Sequence, residues 1–160
     1  MDAFLLEQAE DELRRIDCVP KPARWAKFAD KRKLDWKHTS FDKDSHPLVP
    51  EIPGFYCFVV GLPGTSLPPI GYPLYVGKTE RTLRKRFGEY LREQDSERGR
   101  VRVRKFIKVF KGELLFFYTH FDGTPDEVKE IETELHDALM PAYSDTGFSA
   151  EVRESRNAFQ

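Results

Sequence analysis

Residues 54–60, Gly54-Phe55-Tyr56-Cys57-Phe58-Val59-Val60, are almost all aromatic or β-branched and stand between Pro53 and Gly61. A run of that kind, closed by proline and glycine, reads as a buried strand. It is far short of the ~20 apolar residues that a membrane-spanning helix needs. Period-two alternation puts Tyr56 on the face of Phe58 and opposite Phe55 and Cys57. Which face looks inward is left open by the sequence. The 160 residues are enough for one domain with its own core.

The chain around this strand changes character several times. Residues 2–16 space Phe4, Leu5, Ala9, Leu13 and Ile16 as a helix does, and Pro20 and Pro22 end it. A second helix is expected over 23–34 with Trp25 and Phe28 inward, then a loop or extended wrap over 35–53, rich in Pro, His, Asp and Ser. After the first strand comes a Pro- and Gly-rich turn over 61–73, and Leu74-Tyr75-Val76-Gly77 opens a second strand. Thr79 is a candidate cap for a helix carrying Leu83, Phe87, Tyr90 and Leu91. Residues 101–110 lean helical, and 113–121 form a third strand. Thr124-Pro125-Asp126-Glu127 starts a helix with inward Val128, Ile131, Leu135, Ala138 and Leu139, closed by Pro141. The expected fold is α/β (α+β): a small three-stranded mixed sheet flanked by helices. Residues 1–53 would form an N-terminal helical extension and linker, and 54–160 the main domain.

The net charge of −1 conceals an uneven distribution. Residues 78–111 hold thirteen Lys or Arg against five acids, whereas 113–145 hold nine acids against Lys129 alone. Such asymmetry points to a polyanion-facing segment, or to two helix faces that neutralise each other. Cys18 and Cys57 have no metal-ligand spacing. Cys57 in its apolar run reads as a buried free thiol, which fits a reducing, cytoplasmic setting. Met1-Asp2-Ala3-Phe4-Leu5-Leu6-Glu7 has neither the basic start nor the long apolar run of a secretory signal. Gly77-Lys78-Thr79 invites a phosphate-loop reading, but that pattern requires glycine at 72, where Tyr72 stands.

A different pattern fits better. Gly54-Phe55-Tyr56, then Tyr75-Val76-Gly77-Lys78-Thr79, then Leu83-Arg84-Lys85-Arg86-Phe87, resembles the opening of the GIY-YIG nuclease family. A strand over 114–119, a helix with Glu132 and then Pro141 continue the family order. The resemblance implies that Tyr56 and Tyr75 lie on adjacent strands facing the scissile phosphate, with Arg86 as the helix arginine and Glu132 as metal ligand. Lys78 matches a lysine some members carry, and Tyr90 falls where members have His or Tyr. Where the family has asparagine three residues after the proline, this chain has Ser144.

The residue types suit phosphodiester hydrolysis. A tyrosine near pKa ~10 is a poor base unless cations lower its pKa, which Lys78 and Arg86 can do while clamping phosphate oxygens. Glu132 suits one Mg²⁺ or Mn²⁺. Arg84, Lys85, Arg102, Arg104, Lys105 and Lys108 are candidates for contacts with flanking phosphates. His120 and His136 match no metal spacing and read as surface or core histidines. The expected activity is metal-dependent endonucleolytic hydrolysis of nucleic acid, DNA first, with no membrane partner. The alternatives are a catalytically impaired nucleic-acid-binding module of the same fold and a protein-interaction domain.

Overall fold

The structure, a computed structural model, describes residues 2–62, 71–144 and 146–158. Its centre is a four-stranded sheet: β1 (Lys37–Ser40), β2 (Gly54–Gly61), β3 (Gly71–Thr79) and β4 (Leu114–His120). The spatial order is β1-β4-β2-β3, and every pairing is antiparallel. The sheet is therefore neither three-stranded nor mixed. The extra strand lies within the segment expected to be loop. Lys37-His38-Thr39-Ser40 is polar and mostly exposed because an edge strand at the surface is kept short and polar, and so lacks apolar periodicity. Most of the turn expected over 61–73 lies outside the described residues.

Helices cover both faces. β2 has buried side chains pointing each way, which is why its sequence is continuously apolar. Tyr56, Phe58 and Val60 join Phe87 and Tyr90 of α3 (Leu83–Asp95) and Phe106 and Ile107 of α4 (Val101–Val109). Phe55 and Cys57 point the other way, to Phe28 of α2 (Pro22–Lys31) and Val128, Ile131 and Leu135 of α5 (Pro125–Leu139). Each such aromatic contributes roughly 1.5–3 kcal/mol on burial. Helix α1 (Ala3–Arg14) has the expected spacing but no buried residue; Phe4, Leu5 and Leu13 are exposed. Helix α6 (Ala150–Asn157) was not foreseen; Ser149 caps it and Val152 is its buried side chain.

Two helix starts show how local chemistry sets position. Thr79 still pairs with Gly54 in the sheet, so α3 begins later, capped by the Thr82 hydroxyl, which accepts from the Lys85 N–H. At α5 the Thr124–Glu127 capping box and Pro125 fix the start. Not all of its acids face the basic segment: Glu134 binds Lys31 and Arg32 at the end of α2, at 2.7 and 2.9 Å. Among the described residues no helix is long and apolar enough to cross a membrane.

Candidate active site

Strand β3 is an edge strand of the sheet, so groups from both faces can meet around it. Antiparallel pairing sets Tyr56 opposite Gly77 and Phe58 opposite Tyr75, which puts both tyrosines on the α3–α4 face. Gly77 is there for space: a side chain on it would collide with the Tyr56 ring and hydroxyl. Gly54 is equally constrained by the carbonyl of Thr119. Beyond Gly77, Glu132 on α5 reaches the same edge from the other face. Tyr56, Tyr75, Lys78, Arg86 and Glu132 thus line one cavity of about 160 Å³, together with His136, Ser144, Thr146 and Gly147. At ~30 Å³ per water, that is room for a phosphate group and a few waters.

Tyr90 does not line this cavity. It is fully buried behind it, and its hydroxyl lies 2.7 Å from that of Tyr56. The Arg86 Nε–H donates to the Tyr56 oxygen at 3.1 Å while the guanidinium lies over the Tyr90 ring, 5.0 Å from its centroid. Arg86 is aimed by Glu89, whose other carboxylate oxygen holds Arg81.

Burial dominates the electrostatics. It pushes the Tyr56 hydroxyl up despite the opposing pull of Arg86 and of the bond from Tyr90. Burial likewise raises Tyr90, with the neighbouring Tyr56 next; of the two phenols, Tyr56 is the one whose oxygen also accepts from Arg86. Tyr75 is pushed up to about 12, burial first and then the neighbouring Tyr90, with Arg100 and Arg86 pulling down. Lys78 does not act on Tyr56 in this way. Its charge is felt by Glu132, and its Nζ lies 3.4 Å from a Glu80 oxygen.

Burial raises Glu132, and only Lys78 opposes it; among the described residues no hydrogen bond supports the carboxylate. A desolvated carboxylate facing a cavity fits one hard divalent ion that keeps most of its water. No three His, Cys, Asp or Glu side chains converge among the described residues, so Glu132 would be the ion's holder.

Three neighbours were not among the expected site residues. His136 is buried against the cavity, its Nδ1 2.8 Å from the Glu132 carbonyl oxygen and its ring laid on Gly147. Its four-residue spacing from Glu132 was the available signal. Ser144 is buried, and its hydroxyl accepts from the Val76 N–H at 3.4 Å, while the N–H groups of Ala142 and Tyr143 donate to the Pro73 and Leu74 carbonyls. The asparagine position is thus filled by a group that still ties this segment to β3. Arg100, just before α4, reaches the Tyr75 hydroxyl at 3.4 Å.

The predicted phosphate-binding residues divide. Arg84 is engaged elsewhere, donating to the carbonyls of Val49 and Pro47 at 2.7 and 3.0 Å. Arg104 is half-buried, with a bond to the Ser96 carbonyl. Lys85 on α3 and Arg102, Lys105 and Lys108 on α4 are exposed.

Residues 71–144 match the family model of the GIY-YIG catalytic domain. This stretch belongs to the GIY-YIG family. The matched stretch runs from β3 through α5 to Ser144, and so holds Tyr75, Lys78, Arg86, Tyr90 and Glu132. Tyr56 lies outside it and enters the GIY-YIG site through the pairing of β2 with β3. GIY-YIG domains are nuclease domains that act on nucleic acid. No curated protein and no solved structure matches the chain.

Proposed function

We propose that this GIY-YIG protein is a metal-dependent endonuclease that hydrolyses phosphodiester bonds in DNA. The observation that carries the reading is the shared cavity: two phenols, a guanidinium, an ammonium and a desolvated carboxylate converge on a space the size of a phosphate.

In this reading Tyr56, once ionised, takes a proton from the attacking water. The phenolate oxygen is held by donors already in place, Arg86 Nε–H and the Tyr90 hydroxyl. Tyr75 donates to the phosphate or positions the water. Arg86 and Lys78 offset charge building on the phosphoryl oxygens, which is where fixed cations act most strongly. As water adds to phosphorus, the bond to one sugar oxygen breaks and that oxygen leaves as an alkoxide, protonated from solvent. Glu132 would hold a divalent ion, which when bound would supply neutralisation of that departing charge. Lys85, Arg102, Lys105 and Lys108 would contact flanking phosphates, giving affinity that tolerates any sequence and falls with salt.

The test is conversion of supercoiled plasmid and labelled duplex to nicked product with Mg²⁺, with Mn²⁺ and with EDTA. Cleavage that appears with either ion and disappears with the chelator supports the reading. Salt-sensitive binding with no metal-dependent cut under any condition would leave the protein a binding module of the same fold.

A further inference from the structure

Arg100 lies outside every motif of the family pattern. Gly99 precedes it with φ +123°, which lets the chain turn from the loop after α3 into α4, and Arg100 sits at the N-terminal boundary of α4. From there the side chain lies back over the site. Its Nη1 reaches the Tyr75 oxygen at 3.4 Å and its Cζ stands 5.1 Å from the centre of the Tyr90 ring. Its Nη2 is held by Glu93 Oε1 at 2.9 Å. The second Glu93 oxygen is buried with no hydrogen-bond partner among the described residues.

The arrangement repeats what Arg86 does for Tyr56. In each case a guanidinium is aimed by a glutamate of α3, packs on the Tyr90 ring, and donates to the oxygen of one strand tyrosine. We propose that Arg100 is a positioning residue of the site, acting through Tyr75. By donating to the Tyr75 oxygen it fills the accepting side of that hydroxyl, whose own proton is then directed to an acceptor, Tyr90 or a phosphate oxygen or water in the cavity. This rests on the reading of Tyr75 as a site tyrosine. Its surroundings are consistent: α3 brings Tyr90 and Arg86, α4 brings the Phe106 ring stacked at 5.7 Å, and Lys78 and Glu132 line the same cavity. Of these, Arg100 is the largest influence drawing the phenol proton off.

Two measurements decide it. The first is cleavage kinetics of Arg100→Gln, Arg100→Lys, Tyr75→Phe and Arg100→Gln/Tyr75→Phe in Mg²⁺. Arg100→Gln should lower kcat about tenfold or more with KM little changed, Arg100→Lys should recover part of it, and Arg100→Gln should cost under about twofold once Tyr75 is Phe. A loss confined to KM that persists undiminished beside Tyr75→Phe would make Arg100 a plain phosphate contact and overturn the proposal. The second measurement needs no cleavage. With 3,5-difluorotyrosine at position 75, which titrates at lower pH than tyrosine, the ¹⁹F signal should titrate at higher pH in Arg100→Gln than in the parent. An unmoved titration overturns the proposal. A wild-type protein that cuts nothing removes the endonuclease reading, while the ¹⁹F titration still decides the Arg100–Tyr75 contact.

Discussion

The hydroxyls of Tyr56 and Tyr90 lie 2.7 Å apart, one at the cavity and the other sealed behind it. Because Arg86 also donates to the Tyr56 oxygen, a Tyr56 phenolate has two donors waiting, whereas burial disfavours its charge. The balance determines how cleavage responds to pH. Since burial prevails and the phenol sits above its ordinary value, the reactive ionised fraction grows as pH rises. The logarithm of kcat/KM should climb with pH through the neutral and mildly alkaline range, with slope about one. Tyr90→Phe removes a donor to the phenolate, so its profile should shift to higher pH with a loss of about tenfold at pH 8. A flat profile between pH 6 and 9 would remove Tyr56 as base.

Glu132 should be a liability to the free fold. Its carboxyl is raised by burial, so its contribution to stability is complete below the ordinary carboxylate pKa and is lost as pH rises through the folded-state value. Glu132→Gln resembles the protonated form. At pH 7 it should melt ~1–2 °C above wild type, and the difference should vanish near pH 3. Millimolar Mg²⁺ or Mn²⁺ should raise the wild-type Tm and leave the variant unmoved. Thermal melts at the two pH values, with and without ion, check all three expectations.

Gly77→Ala would place a methyl group in the space that the Tyr56 ring occupies. Tyr56 is a core aromatic packed on Phe116 and Tyr90, so it cannot swing aside freely. The substitution should destabilise by about 2 kcal/mol or more, as overpacking does. It should also abolish cleavage in whatever folded protein remains. Urea unfolding by fluorescence reads the first effect, and the plasmid assay the second.

Basic residues close in sequence should behave differently. Arg84→Ala removes bonds to the Val49 and Pro47 carbonyls and so should cost stability, about 1–2 kcal/mol, with little change in how binding depends on salt. Exchanging Lys85, Lys105 and Lys108 together for Gln should leave Tm within a degree or two. It should flatten the plot of log K against log salt by about 2–3, nearly one for each phosphate no longer neutralised. Fluorescence anisotropy on a labelled duplex over a salt series separates the two groups.

What the sequence made legible follows from where its signals are local. The strand at Tyr56, the strand at Tyr75, the α5 start at Thr124 and the inward face of α5 rest on patterns a few residues long, and they stand close to where they were expected. β1 did not declare itself, because a polar edge strand has no apolar period. The contact between Tyr90 and Tyr56 was illegible as well; a phenol 34 residues distant meets its partner only after α3 has packed on the sheet. The electrostatic sign at Tyr56 depends on that same packing. Sequence supplies the cations nearby, but burial, a property of the assembled core, outweighs them. His136 and Arg100 came within reach of the cavity in the same way, one through a helix turn from Glu132 and the other through a loop turned at Gly99.

Single-turnover cleavage of a labelled duplex in saturating Mg²⁺, comparing wild type with Tyr56→Phe and Glu132→Ala at matched fold, tests the central claim most directly. The account predicts that each variant loses about 10²–10⁴-fold in rate while keeping the wild-type far-UV spectrum and DNA affinity within a few fold. A folded Glu132→Ala protein that cuts at the wild-type rate would contradict it.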